Sequence, residues 1–288
     1  MNTLKTAVLM ATLGGLLVLL GYWFGGATMA LIALGIAVVL NFGVYFFSDK
    51  IALRSARAVP VEEHELPNVY SIVRSLAQRE NMPMPGIYVI ESPQPNAFAT
   101  GRNPKHAAVA VTRGILELMN YQELEGVLAH ELSHVKNRDI LIATVAATLG
   151  AALTFLARIA LWGGGGNRRN SGGIGIAITL VAWILAPLAA ALIQFAISRS
   201  REFQADQSGA EMTGSPLVLA SALEKLDAGT SRIPMQVDPA VSQLFIADPM
   251  KAFGKDRKKA GTFAKFFSTH PPISERVERL TQSSMGIR

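Results

Sequence analysis

The stretch His130-Glu131-Leu132-Ser133-His134 decides how this chain is interpreted. Residues four positions apart lie one turn apart on the same face of a helix. On a helix, the two histidines can therefore bind one Zn²⁺, and Glu131 between them is placed to take a proton from a water molecule. The pattern predicts the active site of a zinc-dependent peptidase. Alone it is only suggestive, because the same letters occur by chance, so the rest of the chain must support it.

The composition predicts a membrane protein. The chain has 288 residues, of which 50% are hydrophobic and 17% are charged. Four apolar runs, at residues 7–24, 27–47, 140–162 and 174–197, are each about long enough to cross a hydrocarbon core of ~30 Å. Only Gly25 and Gly26 separate the first two runs, which predicts a tight helical hairpin, and the Gly-rich residues 163–173 predict a loop. The first run is interpreted as a retained anchor rather than a signal peptide, because a second span follows at once.

The charges predict an orientation and a division into domains. The net charge is +6, and the basic residues cluster beside the apolar runs, which favours membrane flanks over nucleic acid as their partner. Most of them fall on one side of the spans, which places both termini and the polar stretches in the cytoplasm. We expect a transmembrane hairpin (1–48), a first peptidase part (49–139), two further spans (140–197) and a second peptidase part (198–288). The chain has no cysteine, so histidines and carboxylates must hold any metal.

Local patterns predict a mostly helical α+β domain. Residues 66–79 have the periodicity of an amphipathic helix, whereas residues 86–92 and 107–112 are typical of strands. Asn120 is a suitable N-cap for a helix that begins near Tyr121 and carries both histidines. The strand at 107–112 is interpreted either as a sheet edge that pairs with an extended substrate or as a plain buried strand.

A catalytic zinc site needs a third protein ligand. The candidates are His64, His106, His270 or a carboxylate. Glu202 is favoured because it follows the fourth apolar run just as the H-E-x-x-H stretch leads into the third, so packing of these two spans would bring the ligands together. Asp206 shares the helical face of Glu202 and can accept the N–H of a ligand histidine. His64, among acidic neighbours, and His106, at a strand start, are interpreted as exposed.

The order and spacing of these motifs resemble the HtpX heat-shock proteases, within the zinc metallopeptidase family that also includes the CAAX prenyl proteases. The matching features are two spans, H-E-L-S-H, two more spans, S-R-E-F-Q-A-D at 200–206 and S-T-H-P-P at 268–272. The resemblance implies four transmembrane helices with a cytoplasmic gluzincin-like domain in the plasma (inner) membrane. It further implies an endopeptidase of misfolded or damaged membrane proteins, with one Zn²⁺ held by His130, His134 and Glu202, and with Glu131 as general base.

The resemblance carries three further residues by position. Asn96, in an N-A-F segment, would contact the backbone of the substrate, and His270 would hydrogen-bond the developing oxyanion. Arg276, six residues after His270, would brace Glu202. The alternatives are a Pro-Asn turn at Asn96, a helix start after His270 and a solvated charge at Arg276.

Two other classes of protein are less consistent with the sequence. A membrane scaffold or chaperone with a structural metal site would close that site with a fourth protein ligand, and Glu131 beside the ligands argues against it. A transporter should carry polar or charged groups at mid-depth in its spans, where this chain has chiefly Asn41.

Overall fold

The computed structural model describes residues 2–149, 199–238, 241–255 and 271–286, and it shows a mostly helical chain with one small sheet. The helices are α1 (Asn2–Ser55), α2 (Pro67–Arg79), α3 (Arg113–Leu118), α4 (Tyr121–Lys136), α5 (Ile140–Leu149), α6 (Arg199–Thr213), α7 (Pro216–Arg232) and α8 (Ile273–Ser284). The strands are β1 (Ala58–Pro60), β2 (Gly86–Ile90), β3 (Ala97–Gly101) and β4 (Ala107–Thr112). Short 3₁₀ turns lie at Pro104–His106, Val241–Leu244 and Lys251–Lys255.

The predicted hairpin is present, as two helical segments of α1 joined at Gly25 and Gly26, whose backbone angles are not helical. Both segments, Thr6–Trp23 and Gly25–Ser55, are long and apolar enough to cross a membrane. The amide of Asn41 donates a hydrogen bond of 3.2 Å to the Met10 carbonyl on the opposite segment. Most apolar side chains here are exposed, which suits a lipid environment because lipid rather than protein then covers them.

The predicted third and fourth spans lie largely beyond the described part of the chain. The third begins as helix α5, whose residues Leu141, Ile142, Val145 and Leu149 pack against Leu9, Leu13 and Val44 of the hairpin. Residues 150–162, the loop at 163–173 and the span at 174–197 are outside the described residues. The structure therefore supports two candidate spans, and four remain a prediction.

The sheet has the order β1-β2-β4-β3, with β2 parallel to β4 and the outer strands antiparallel to their neighbours. Every residue of β4 is buried, because helices α2, α4 and α7 cover one face, and the end of α1 with Met235, Val241, Leu244 and Phe245 covers the other. The interpretation of residues 107–112 as an edge strand is therefore wrong, and that of a plain buried strand is right. The edge beside the H-E-x-x-H helix is β3 instead.

The other predicted elements are confirmed with small shifts in their bounds. Helix α2 begins at Pro67, one residue later than predicted, and β2 ends at Ile90, two residues earlier. Helix α4 begins at Tyr121 with the predicted cap, since the Asn120 side chain accepts from the Glu123 N–H at 2.9 Å. The Glu123 carboxylate in turn accepts hydrogen bonds from the Asn120 N–H and from Ser221 and Lys225 of α7. This cap fixes the start of the helix that carries the site.

Candidate metal and active site

Helix α4 turns His130 and His134 toward helix α6. Their ring centroids are 4.9 Å apart, and His130 is only 1% exposed. The two helices approach closely at Gly209, where an added Cβ would lie 2.9 Å from the backbone nitrogen of His130. Ser133 adds a hydrogen bond of 3.3 Å to the Ala205 carbonyl across the same interface. Gly209 and the hydrogen bond from Ser133 to Ala205 set the distance between the two helices.

This packing brings Glu202 to the two histidines. Its carboxylate oxygens lie 3.9 Å from His130 Nε2 and 3.6 Å from His134 Nε2. One possible ligand atom from each of the three residues lies within 4.8 Å of the other two. In the described ranges, no other three histidine or acidic side chains meet in this way. Two imidazoles and one carboxylate form the donor set of a catalytic zinc site with one open coordination position, so the residues fit that metal.

Glu131 lies beside this cluster but is turned toward strand β3. Its Oε2 accepts a hydrogen bond of 2.7 Å from the Ala99 N–H, and the side chain is buried. Burial raises the pKa of Glu131 to about 7, and the negative charge of Glu202 adds to the shift. Glu131 and the three possible ligands line one cavity of about 50 Å³, which is also bordered by Ala99, Ile140, Ala143 and residues 243–246.

Asp206 and Arg276 form a buried ion pair behind His130. Arg276 donates from Nε to Asp206 Oδ2 at 2.8 Å and from Nη2 to Oδ1 at 2.6 Å. Asp206 Oδ1 also lies 2.9 Å from His130 Nδ1, which leaves Nε2 directed at Glu202. Burial alone would raise the pKa of Asp206, but Arg276 and His130 lower it to about 2, so the carboxylate stays ionised.

The structure agrees with only some of the positions predicted for the remaining residues. Arg276 lies near Glu202, with Nη1 at 3.8 Å from Oε2, but its shorter contacts are with Asp206. Asn96 is fully buried at the start of β3. His64 and His106 are exposed and lie outside the cluster, as interpreted from the sequence. His270 lies outside the described residues, so its predicted role stays a prediction.

Asp139 is a site residue that the sequence interpretation missed. Its Oδ2 lies 3.5 Å from His134 Nδ1, and it borders the cavity. Burial would lower the pKa of His134, but Asp139 and Glu202 raise it. Each histidine thus has an acidic partner at Nδ1, which is the arrangement that orients histidine ligands in metal sites. The signal in the sequence was the acidic residue in the turn directly after α4.

Comparison with known proteins identifies the family of this chain. The model of peptidase family M48 matches residues 63–284, and the chain belongs to this family of metallopeptidases. Among curated relatives, the chain is 51% identical to "Protease HtpX homolog" of Pelotomaculum thermopropionicum over 284 residues, which cover 97% of this chain and 98% of the relative. It is 50% identical to the protein of the same name from Thermococcus kodakarensis, over 99% of this chain and 97% of the relative. The resemblance predicted from the motifs is confirmed.

The crystal structure of S. mikatae Ste24p matches with a TM-score of 0.49 at 21% identity, covering 97% of this chain and 64% of that one.

Proposed function

We propose that this chain is a zinc-dependent endopeptidase of the plasma (inner) membrane. The observation that carries the proposal is the meeting of His130, His134 and Glu202 around a cavity that Glu131 also borders. Membership of peptidase family M48 supports the class of reaction, and the two candidate spans support the membrane location. Both termini and the site would face the cytoplasm, and one Zn²⁺ would bind each chain.

The residues divide into metal ligands, a base and supports. His130 and His134 would offer Nε2, and Glu202 one carboxylate oxygen. When bound, Zn²⁺ supplies Lewis-acid chemistry, which polarises the scissile carbonyl and acidifies a water molecule. Glu131 would accept the proton of that water and deliver it to the leaving amine. Asp206 and Asp139 would hold the histidine tautomers, and His270 would donate to the developing oxyanion.

Proteins with extended, accessible segments fit this site best as substrates. A sheet edge binds the backbone of its partner and so accepts many side-chain sequences. Misfolded or damaged proteins of the membrane expose such segments next to a site that is tethered to the bilayer. We propose these proteins as the substrates, with Asn96 as a contact to the substrate backbone.

The test is to measure zinc content and proteolysis on the full chain in detergent, comparing wild type with Glu131→Gln and Glu202→Ala. Glu131→Gln should keep one zinc per chain and lose cleavage of an unfolded protein such as casein, since it removes the base but no ligand. Glu202→Ala should lose zinc, because only two of the three protein ligands that a catalytic zinc site needs would remain. Glu125→Gln is the control on the same helix and should change neither.

The outcomes separate the alternatives. Zinc lost together with activity in Glu131→Gln would contradict its role as base. Zinc retained in Glu202→Ala would point to a different third ligand, His270 first. Zinc in wild type without cleavage of any substrate, in detergent or in liposomes, would favour a structural metal site in a scaffold or chaperone.

A further inference from the structure

Strand β3 is the edge of the sheet beside the candidate active site. Its residues Phe98 and Thr100 lie opposite Ala110 and Ala108 of β4, and the Asn96 carbonyl accepts from the Thr112 N–H on the same side. The alternation of an antiparallel ladder therefore turns the backbone groups of the intervening residues, Ala97, Ala99 and Gly101, away from β4. An edge of this kind binds an extended peptide through its backbone.

Other parts of the same chain contact these outward groups. The Ala97 carbonyl accepts a hydrogen bond of 3.0 Å from the Ile246 N–H. The Ala99 N–H donates to Glu131, and the Gly101 N–H donates to Thr144 Oγ1 at 3.5 Å. Residues 244–247, here named the strap, thus contact β3 through the Ile246 N–H, at the point where a substrate strand would begin to pair.

Further contacts hold the strap by its backbone. Asn96 binds both polar groups of Ala247: its Nδ2 donates to the carbonyl at 2.8 Å, and its Oδ1 accepts from the N–H at 3.3 Å. Arg276 Nη1 donates to the Ile246 carbonyl at 3.1 Å. These contacts to backbone groups do not depend on the strap side chains, so an extended peptide of another sequence can make the same ones.

The space beside the possible ligands is consistent with a cleft that the strap already occupies. The cavity between the ligands and the strap has a volume of about 50 Å³. About 10–15 Å³ of such space holds one water molecule, so the cavity has the size of a few water molecules. Leu244, Phe245 and Ile246 of the strap form part of its wall. A peptide that pairs with β3 at this point would therefore take the place of the strap.

We propose that residues 244–247 are an internal substrate mimic, which occupies the backbone-binding position on β3 and must leave it before a peptide can be cleaved. The proposal rests on the proposed peptidase function and adds a regulatory step to it. Substrate and strap compete for the Ala97 carbonyl, the Asn96 amide and the Arg276 guanidinium. The latent state is the one with the strap bound, and the active state has it displaced.

A reversible cross-link tests the proposal. The rings of Phe98 on β3 and Phe245 on the strap have centroids 4.8 Å apart, and the chain has no native cysteine. In a Phe98→Cys/Phe245→Cys protein, a short thiol cross-linker with a reducible bond should lower kcat/KM for casein roughly tenfold or more, and reductant should restore it. The two single-cysteine proteins are the matched controls and should not respond. Equal cleavage with and without the cross-link would overturn the proposal, because cleavage would then occur while the strap is fixed on β3.

Hydrogen exchange on the wild-type chain answers the same question without changing the buried rings. A short apolar peptide hydroxamate is added until cleavage is fully inhibited. Amide exchange at Ile246 and Ala247 should then rise by roughly tenfold or more as the strap leaves β3. Unchanged or slower exchange there would overturn the proposal. A wild-type chain that binds zinc but cleaves nothing would instead contradict the proposed function, so the two failures are distinguishable.

Discussion

At the scale of single residues, Arg276 is the clearest case of a charge whose place depends on its partners. Its side chain is 1% exposed, and a buried guanidinium is costly unless it is paired and hydrogen-bonded. Both oxygens of Asp206 and the Ile246 carbonyl supply those bonds. The planar shape of the guanidinium matters, because its nitrogens bind Asp206 behind His130 and the Ile246 carbonyl of the strap at the same time.

Arg276→Lys should therefore weaken metal binding although the charge is kept. A lysine has one nitrogen where the guanidinium has three, so Asp206 loses at least one hydrogen bond and holds His130 less firmly. We expect zinc affinity to fall by roughly ten- to a hundredfold, measured by competition with a chromophoric chelator. Arg279→Lys on the same helix is the control, since Arg279 is largely exposed and pairs with Glu275. Equal zinc affinity in Arg276→Lys and wild type would show that Arg276 does not support the ligand.

At the scale of secondary-structure elements, the contact between α4 and α6 decides the geometry of the site. Gly209→Ala would place a Cβ 2.9 Å from the nitrogen and 3.0 Å from the Cα of His130, and backbone atoms cannot move aside as a side chain can. We expect the helices to separate, which costs about 1–3 kcal/mol of stability and moves Glu202 away from the histidines. The melting temperature and zinc content in detergent should both fall. Gly126→Ala, whose Cβ would meet Leu219 at an ordinary 3.4 Å, should change neither. A normal zinc content in Gly209→Ala would contradict this account.

The elements also show how far the sequence could predict the site. Local sequence patterns were enough to predict α4, because its capping residue and its two histidines lie within one short stretch of sequence. Glu202 could be placed only through the order of the spans, and Asp206 through its spacing from Glu202. Strand β3 was missed, and β4 was left open as edge or centre, because strand order depends on pairing between distant segments. The strap begins at the end of the 3₁₀ turn Val241–Leu244 and has no periodicity, so no local pattern predicts its contact with Asn96.

At the scale of the whole molecule, helix α5 links the membrane part to the catalytic part. It packs on the hairpin through Leu141, Val145 and Leu149. On the side of the sheet, Thr144 Oγ1 lies 3.0 Å from Thr100 Oγ1 of β3, and both residues are buried. A shift of α5 relative to the hairpin would therefore displace Thr144 and the sheet edge that it contacts.

Thr144→Val tests this link, because it keeps the shape of the side chain and removes the hydroxyl that contacts Thr100 and the Gly101 N–H. A buried polar group left without its partner costs about 1–3 kcal/mol, so the melting temperature should fall. A less firmly held β3 should also bind substrate less well, and KM for an unfolded protein should rise several-fold with a smaller change in kcat. Thr148→Val is the matched control, since that hydroxyl donates to the Thr144 carbonyl within the same helix. Equal KM values for the two variants, in detergent and in liposomes, would mean that α5 anchors the domain without positioning the edge strand.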